Sequence, residues 1–301
     1  MIVMRRLAIG RLAASAASLS AAATLTTVAR SKDAPPSSLF SLEGRTALVT
    51  GGSQGLGKAI ARGLALAGAD VIIASRREPE LKAALSEIVE GTSVNGKFIV
   101  ADLGKDGEAE RLGREALKLS GSGRVDILIS NAGISKPGAV HTGVDNKPIK
   151  PLDDGEFDQT LQINLTSGVK LLNVLAPSMV ANGWGRVVHI SSIGGLGSSE
   201  GRSAYSASKF AQIGVMHAGA LELGPHGITC NAICPGPFLT EMPLKALSKE
   251  VQDSVAQKVP LKRWGQPEEL VGPVLMLVSE AGAYVNGAVL RVDGGLLSRA
   301  Y

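Results

Sequence analysis

Thr46-Ala47-Leu48-Val49-Thr50-Gly51-Gly52-Ser53-Gln54-Gly55-Leu56-Gly57 decides the fold, together with the run Lys58-Ala59-Ile60-Ala61-Arg62-Gly63-Leu64-Ala65-Leu66-Ala67 that follows it. Thr46 to Val49 reads as a short buried strand. The spacing of apolar residues after Gly57 reads as a helix. The glycines between them permit a tight turn and let backbone approach a ligand closely. The helix start adds free N–H groups that attract an anion. Glycine clusters are common in surface loops. Set between a strand and a helix, this one reads as the phosphate cradle of a dinucleotide, formed by Gly51, Ser53, Gln54, Gly55, Leu56 and Gly57.

The next strand, Asp70-Val71-Ile72-Ile73-Ala74, ends in Ser75-Arg76-Arg77-Glu78. An NAD site usually places an acid here for the ribose 2′-hydroxyl, whereas the 2′-phosphate of NADP calls for a cation. Ser75 followed by Arg76 and Arg77 therefore favours NADP(H) over NAD. The competing reading is a solvated arginine pair. Gln54 stands where a second base could have sat in the phosphate turn.

The alternation continues along the chain. Strands are expected at 46–50, 70–75, 97–101, 126–130, 186–191, 227–233 and 288–292. Helices are expected at 56–67, 79–90, 106–120, 155–180, 203–223 and 267–279. Strand then helix, repeated, builds a parallel sheet with helices on both faces. A hydrophobic content of 45% with only 3% aromatic residues suits such a sheet, whose doubly buried strands are rich in Val, Ile and Leu. Ligands bind such sheets at the carboxyl ends of the strands. Gly51, Arg76, Asp102, Asn131, Ser192 and Pro235 all fall there.

Tyr205 and Lys209 supply the chemistry. In Tyr205-Ser206-Ala207-Ser208-Lys209 they are four apart, on one face of a helix. A phenol with an ordinary pKa of about 10 is a poor acid at neutral pH. A neighbouring cation is expected to lower that value and to let the hydroxyl exchange a proton with a substrate oxygen. Ser191 and Ser192 precede them, after the apolar run Val187-Val188-His189-Ile190.

The remaining composition excludes several classes. Met1 to Lys32 holds Arg5, Arg6, Arg11, Arg30 and Lys32 without an acid, and is rich in Ala, Ser and Thr. With Asp33, these residues account for the whole net charge of +4, so residues 34–301 are neutral and no basic stripe points to nucleic acid. Residues 1–35 read as an organelle transit peptide, mitochondrial in composition. A secretory signal and an unaddressed tail are the alternatives. Residues 36–301 form the expected domain. No stretch has the length and apolarity of a membrane span. Cys230 and Cys234 are too few for a disulfide framework and sit in a buried-strand pattern. His141, His189, His217 and His226 show no ligand spacing, so no metal site is expected.

Taken together, these motifs resemble those of the short-chain dehydrogenase/reductase family over roughly residues 42–296. Thr50-Gly51-x-x-x-Gly55-x-Gly57 resembles the cofactor turn. Asp102-Leu103 resembles the adenine contact, and Asn131-Ala132-Gly133 the end of the fourth strand. Ile163-Asn164-Leu165 resembles the helix asparagine motif, and Ser192 lies thirteen residues before Tyr205 as the family's serine does. Pro235-Gly236, with Phe238 and Thr240, resembles the loop beside the nicotinamide. The resemblance implies one Rossmann-type doubly wound α/β domain with a seven-stranded parallel sheet. It implies an NADP(H)-dependent enzyme in which Tyr205 is acid or base, Lys209 tunes it and binds the nicotinamide ribose, and Ser192 polarises the carbonyl. Asn164 would hold a water that links Lys209 to solvent.

The resemblance also implies a homotetramer, built on the helices at 155–180 and 203–223. The expected substrate is a small carbonyl compound or alcohol. Pro260 to Leu270 and Val292-Asp293-Gly294-Gly295 resemble both 3-oxoacyl-acyl-carrier-protein reductases and gluconate 5-dehydrogenases, and Leu39 to Arg45 leans to the latter. An acyl thioester is the first expectation and a sugar acid the second. A cofactor-binding sensor without turnover is the alternative of another class. The stretch Asn131 to Asn164 is longer than in these subgroups, and the extra piece, around Pro137 to Pro151, is either a substrate-shaping loop or a neutral surface insertion.

Overall fold

The computed structural model describes residues 35–140, 143–144, 147–148, 150–241, 244 and 247–298. Of the expected leader, residues 1–35, all but Pro35 lie outside the described residues.

Seven strands form one parallel sheet: β1 (Thr46–Thr50), β2 (Asp70–Ser75), β3 (Gly96–Val100), β4 (Ile127–Ser130), β7 (Gly185–Ile190), β8 (Ile228–Pro235) and β9 (Val289–Val292). Their order is β3-β2-β1-β4-β7-β8-β9. A short antiparallel ribbon of β5 (Gly143–Val144) and β6 (Lys147–Pro148) stands apart. The main helices are α1 (Gly55–Leu66), α2 (Glu78–Val89), α3 (Glu108–Leu119), α4 (Asp154–Leu161), α5 (Ser167–Asn182), α6 (Ser203–Leu223), α7 (Lys249–Lys258) and α8 (Val271–Val278). This is the single doubly wound α/β domain expected from the alternation.

The physical basis is burial on both sheet faces. Every residue of β1, β4, β7 and β8 is buried. Ala47 and Val49 of β1 point into a core with Ile60 and Leu64 of α1 and with Val274 and Leu277 of α8. Leu48, between them, points to the opposite core with Leu112 of α3 and Leu171 of α5. The period of two in the strand thus feeds two helical layers.

β1 pairs with β2 on one side and with β4 on the other. The chain therefore reverses its direction of travel across the sheet at β1/β4, which opens a crevice at the carboxyl ends of the strands.

The β5–β6 ribbon was not among the expected strands, and three helical elements also differ from expectation. The helix expected at 155–180 is interrupted by a π-turn at Gln162–Thr166, where the Ser167 N–H bonds to Gln162 O. The helix expected at 267–279 begins as a 3₁₀ turn at Pro267–Leu270 and is α-helical only over α8. The polar helix α7 was not expected. It buries none of its residues, so it carries no apolar stripe to read. Within the 137–151 stretch, Gly138 bridges Arg202 and Ala139 bridges Pro151, so one end is anchored at the start of α6 and the two ends are tied to each other.

Candidate active site

The crevice at the strand ends is a cleft of about 680 Å³. Gly51 to Gly57, Ser75 to Arg77, Asp102, Leu103, Asn131 to Gly133, Ser192, Tyr205, Lys209, Pro235, Gly236, Phe238 and Thr240 all contribute to its lining, Gly52 excepted. Of the expected site residues only Asn164 lies behind it. Residues from distant parts of the sequence therefore converge on one cavity.

The glycine turn has the shape of a cradle. Gly51 and Gly55 adopt φ of +66° and +54°, where side chains are strained. A Cβ on Gly57 would lie 2.2 Å from the Gly51 carbonyl oxygen. Asn131 braces this turn: its Nδ2 donates to Thr50 O at 2.8 Å and to Gly51 O at 3.3 Å. Thr50 Oγ1 in turn accepts from the N–H groups of Asn131 and Ala132, both at 3.0 Å. The Asn131 side chain is thus a strut for the cradle.

At the end of β2 the two arginines part company. Arg77 is engaged: its Nε lies 3.0 Å from Glu80 Oε1 and its Nη2 donates to Gln54 Oε1 at 3.3 Å. Arg76 is exposed and has no hydrogen-bond or ion-pair partner among the described residues. An unengaged guanidinium at this position suits a ribose 2′-phosphate. With the glycine cradle beside it, the site fits an NADP-type dinucleotide.

Tyr205 and Lys209 sit one turn apart on α6, as expected. Lys209 is 3% exposed. Its Nζ donates to Ile190 O at 2.8 Å and to Gln212 Oε1 at 3.1 Å, and lies 5.7 Å from the Tyr205 ring centre. Burial lowers the Lys209 pKa to about 8. The expected lowering of the Tyr205 pKa is not found. Burial raises it above the ordinary value, and the Ser192 hydroxyl and the Arg202 charge offset this only in part. Desolvation of the phenolate outweighs the nearby cations. Ser192 accepts from Gly194 N–H at 3.0 Å, and its hydroxyl contacts Tyr205.

Asn164 belongs to the π-turn. Its side chain accepts from Ile134 N–H at 2.8 Å and donates to Ile134 O at 3.0 Å and to Ser208 Oγ at 2.9 Å. Asn164 is also tied to Lys209 through a third residue. Gln212 donates through Nε2 to the Asn164 carbonyl and accepts from Lys209 Nζ. Gln212 was missed in the sequence, although its position three residues beyond Lys209 put it on the same helical face. Arg202 was also missed. Its guanidinium lies 5.9 Å from the Tyr205 ring centre and donates to Ser135 Oγ at 2.6 Å.

Cys230 and Cys234 are buried and unbridged, consistent with core packing. Burial raises both thiol pKa values, that of Cys230 to about 12. Among the described residues no group of three His, Cys, Asp or Glu could hold a metal ion. No described helix is long and apolar enough to cross a membrane.

The family model described as enoyl-(acyl carrier protein) reductase matches residues 51–297. A 3-oxoacyl-acyl-carrier-protein reductase of Rickettsia bellii is 34% identical, with 86% of this chain and 99% of that protein aligned. The chain belongs to the short-chain dehydrogenase/reductase family. A gluconate 5-dehydrogenase of Gluconobacter oxydans is 35% identical over 86% of this chain and 96% of its own length. The crystal structure of a 3-oxoacyl-acyl-carrier-protein reductase from Agrobacterium tumefaciens with NADP bound superposes with a TM-score of 0.79. That structure is 32% identical, with 87% of this chain and 98% of that one covered. As a family member, this chain is an oxidoreductase.

Proposed function

We propose that this chain is an NADP(H)-dependent carbonyl reductase whose substrate is a 3-oxoacyl chain carried as a thioester. The observation that carries the substrate reading is the apolar part of the cleft lining. Ile193, Leu247, Val255, Trp264, Leu296 and Leu297 form it, an apolar surface suited to an acyl chain. The NADP-bound relative and the unengaged Arg76 support the cofactor assignment.

The nicotinamide, when bound, supplies the hydride. The chain supplies the rest. Tyr205, held protonated by its burial, gives its proton to the carbonyl oxygen. Ser192 donates a hydrogen bond to that oxygen and stabilises charge as it builds there. Lys209 keeps a positive charge behind the phenol, and so favours the tyrosinate left after proton transfer. Asn164 fixes the backbone at Ile134 and, through Ser208, the turn of α6 that carries Tyr205.

A sugar acid is the second reading. Arg202 favours it: a guanidinium beside Tyr205 with no carboxylate partner among the described residues suits a substrate carboxylate. A non-catalytic NADP(H) sensor needs the glycine cradle but has no use for Ser192, Tyr205 and Lys209.

One screen separates the three: NADPH absorbance followed with 3-oxoacyl thioesters, with 5-ketogluconate and with simple ketones. Turnover confined to thioesters is expected. Turnover of 5-ketogluconate alone refutes the acyl reading. Cofactor binding with no turnover of any carbonyl refutes the enzyme reading.

We further propose that the chain forms a homotetramer. Ala207, Phe210, Gly214, Ala218 and Leu221 make an exposed row of small and apolar residues along α6. The basic, acid-free segment Met1 to Lys32 is proposed to be a mitochondrial address. Fusion of this segment to a fluorescent protein tests it, and diffuse cytosolic or secreted signal refutes it.

A further inference from the structure

Behind the cleft, Gln212 ties together two parts of the site that belong to different helices. It is 1% exposed and does not line the cleft, so it cannot touch substrate or cofactor. Its Oε1 accepts from Lys209 Nζ at 3.1 Å. Its Nε2 donates to the carbonyl of Asn164, inside the π-turn Gln162–Thr166. Turns of this kind widen the helix locally and recur at functional sites.

An ammonium group has three N–H donors. Two of those on Lys209 are spent on Ile190 O and on Gln212, which leaves the third for the cleft side. Burial of the ammonium is costly unless acceptors compensate it, so each acceptor bears on how readily Lys209 holds its proton.

We propose that Gln212 is a positioning residue for Lys209. Its carboxamide bridges the ammonium and the Asn164 carbonyl, fixes Nζ behind Tyr205 and helps Lys209 to keep its charge. The amide donates through one end and accepts through the other, so it orients the ammonium without itself releasing a proton. None of this depends on which carbonyl compound the site accepts.

The test is a titration of Lys209 in the full chain with isotope-labelled lysine, followed by NMR. The Lys209 signal is assigned by its loss in a Lys209→Arg variant. Gln212→Leu keeps similar bulk without a polar group. Loss of one hydrogen bond to a charged group is expected to lower the Lys209 pKa by about one unit or more. The starting value is about 8. The alkaline limb of kcat/KM for NADPH-dependent reduction should move down with it. Gln212→Glu, which offers a charged acceptor, should move both upward.

If Gln212→Leu does not fold, Gln212→Met carries the same test. An unmoved titration and alkaline limb in a folded Leu or Met variant would overturn the proposal. A downward shift in the Glu variant would overturn it too, because a merely structural role predicts no reversal of sign.

Discussion

Replacing Arg76 with alanine should turn the chain from an NADPH enzyme into one that barely distinguishes NADPH from NADH. Arg76 directly follows β2 on the cleft and has no partner among the described residues, so its removal leaves no internal acceptor unpaired. The loss is that of its contacts with the 2′-phosphate alone. A hydrogen bond to a charged group contributes about 1.5–3 kcal/mol, and an exposed guanidinium belongs at the low end of that range. One or two such bonds amount to about a tenfold to hundredfold rise in KM for NADPH, with KM for NADH little changed. Arg77→Ala is the internal control. That guanidinium already serves Glu80 and Gln54, so its loss should cost NADPH binding several-fold less. The assay is steady-state kcat/KM with each cofactor at low and high salt, and the Arg76 effect should shrink as salt rises. Equal losses for the two cofactors, or a larger loss from Arg77→Ala, would refute the reasoning.

Gly57→Ala should weaken NADPH binding at least about tenfold, because a Cβ there would press on the Gly51 carbonyl oxygen at 2.2 Å and distort the cradle. Fluorescence titration with NADPH checks this, and wild-type affinity would be contrary. His189 is fully buried, with its pKa lowered by burial from 6.5 to about 4. The unfolded chain therefore binds the extra proton over that window, so stability contributed by the neutral imidazole is full above pH 6.5 and is lost as pH falls towards 4. The loss is on the order of 3 kcal/mol. Denaturant melts between these limits should show the decline, and His189→Gln should flatten it. Leu221→Glu, on an α6 position that is 79% exposed, should convert a tetramer into smaller species by light scattering; an unchanged mass would argue against that interface.

The parallel sheet and the cradle were legible because their signals are local. The apolar β1 strand, the glycine turn and the first apolar turns of α1 are contiguous in sequence, and the sheet repeats that unit. Tyr205, Lys209 and Ser192 were legible as a pattern of residue types at fixed spacing. The π-turn at Gln162–Thr166 was not, since adding one residue to a helical turn leaves the apolar period almost unchanged. The direction of the Tyr205 pKa was misjudged because helical spacing reveals the nearby cation but not the depth of burial, which here has the larger effect. The Gln212 bridge depends on Asn164, forty-eight residues away, and only the packing of two helices brings them together. The apolar wall at Leu247, Val255 and Trp264 lies on and beside a polar helix whose sequence gives no sign that it borders a cleft.

The most direct test of the central claim is the rate of NADPH oxidation by Tyr205→Phe with the best carbonyl substrate. Cofactor affinity should stay close to wild type while kcat/KM falls by about a hundredfold to ten-thousandfold, the usual contribution of a positioned acid. A Tyr205→Phe protein that bound NADPH and reduced the carbonyl at the wild-type rate would contradict the account.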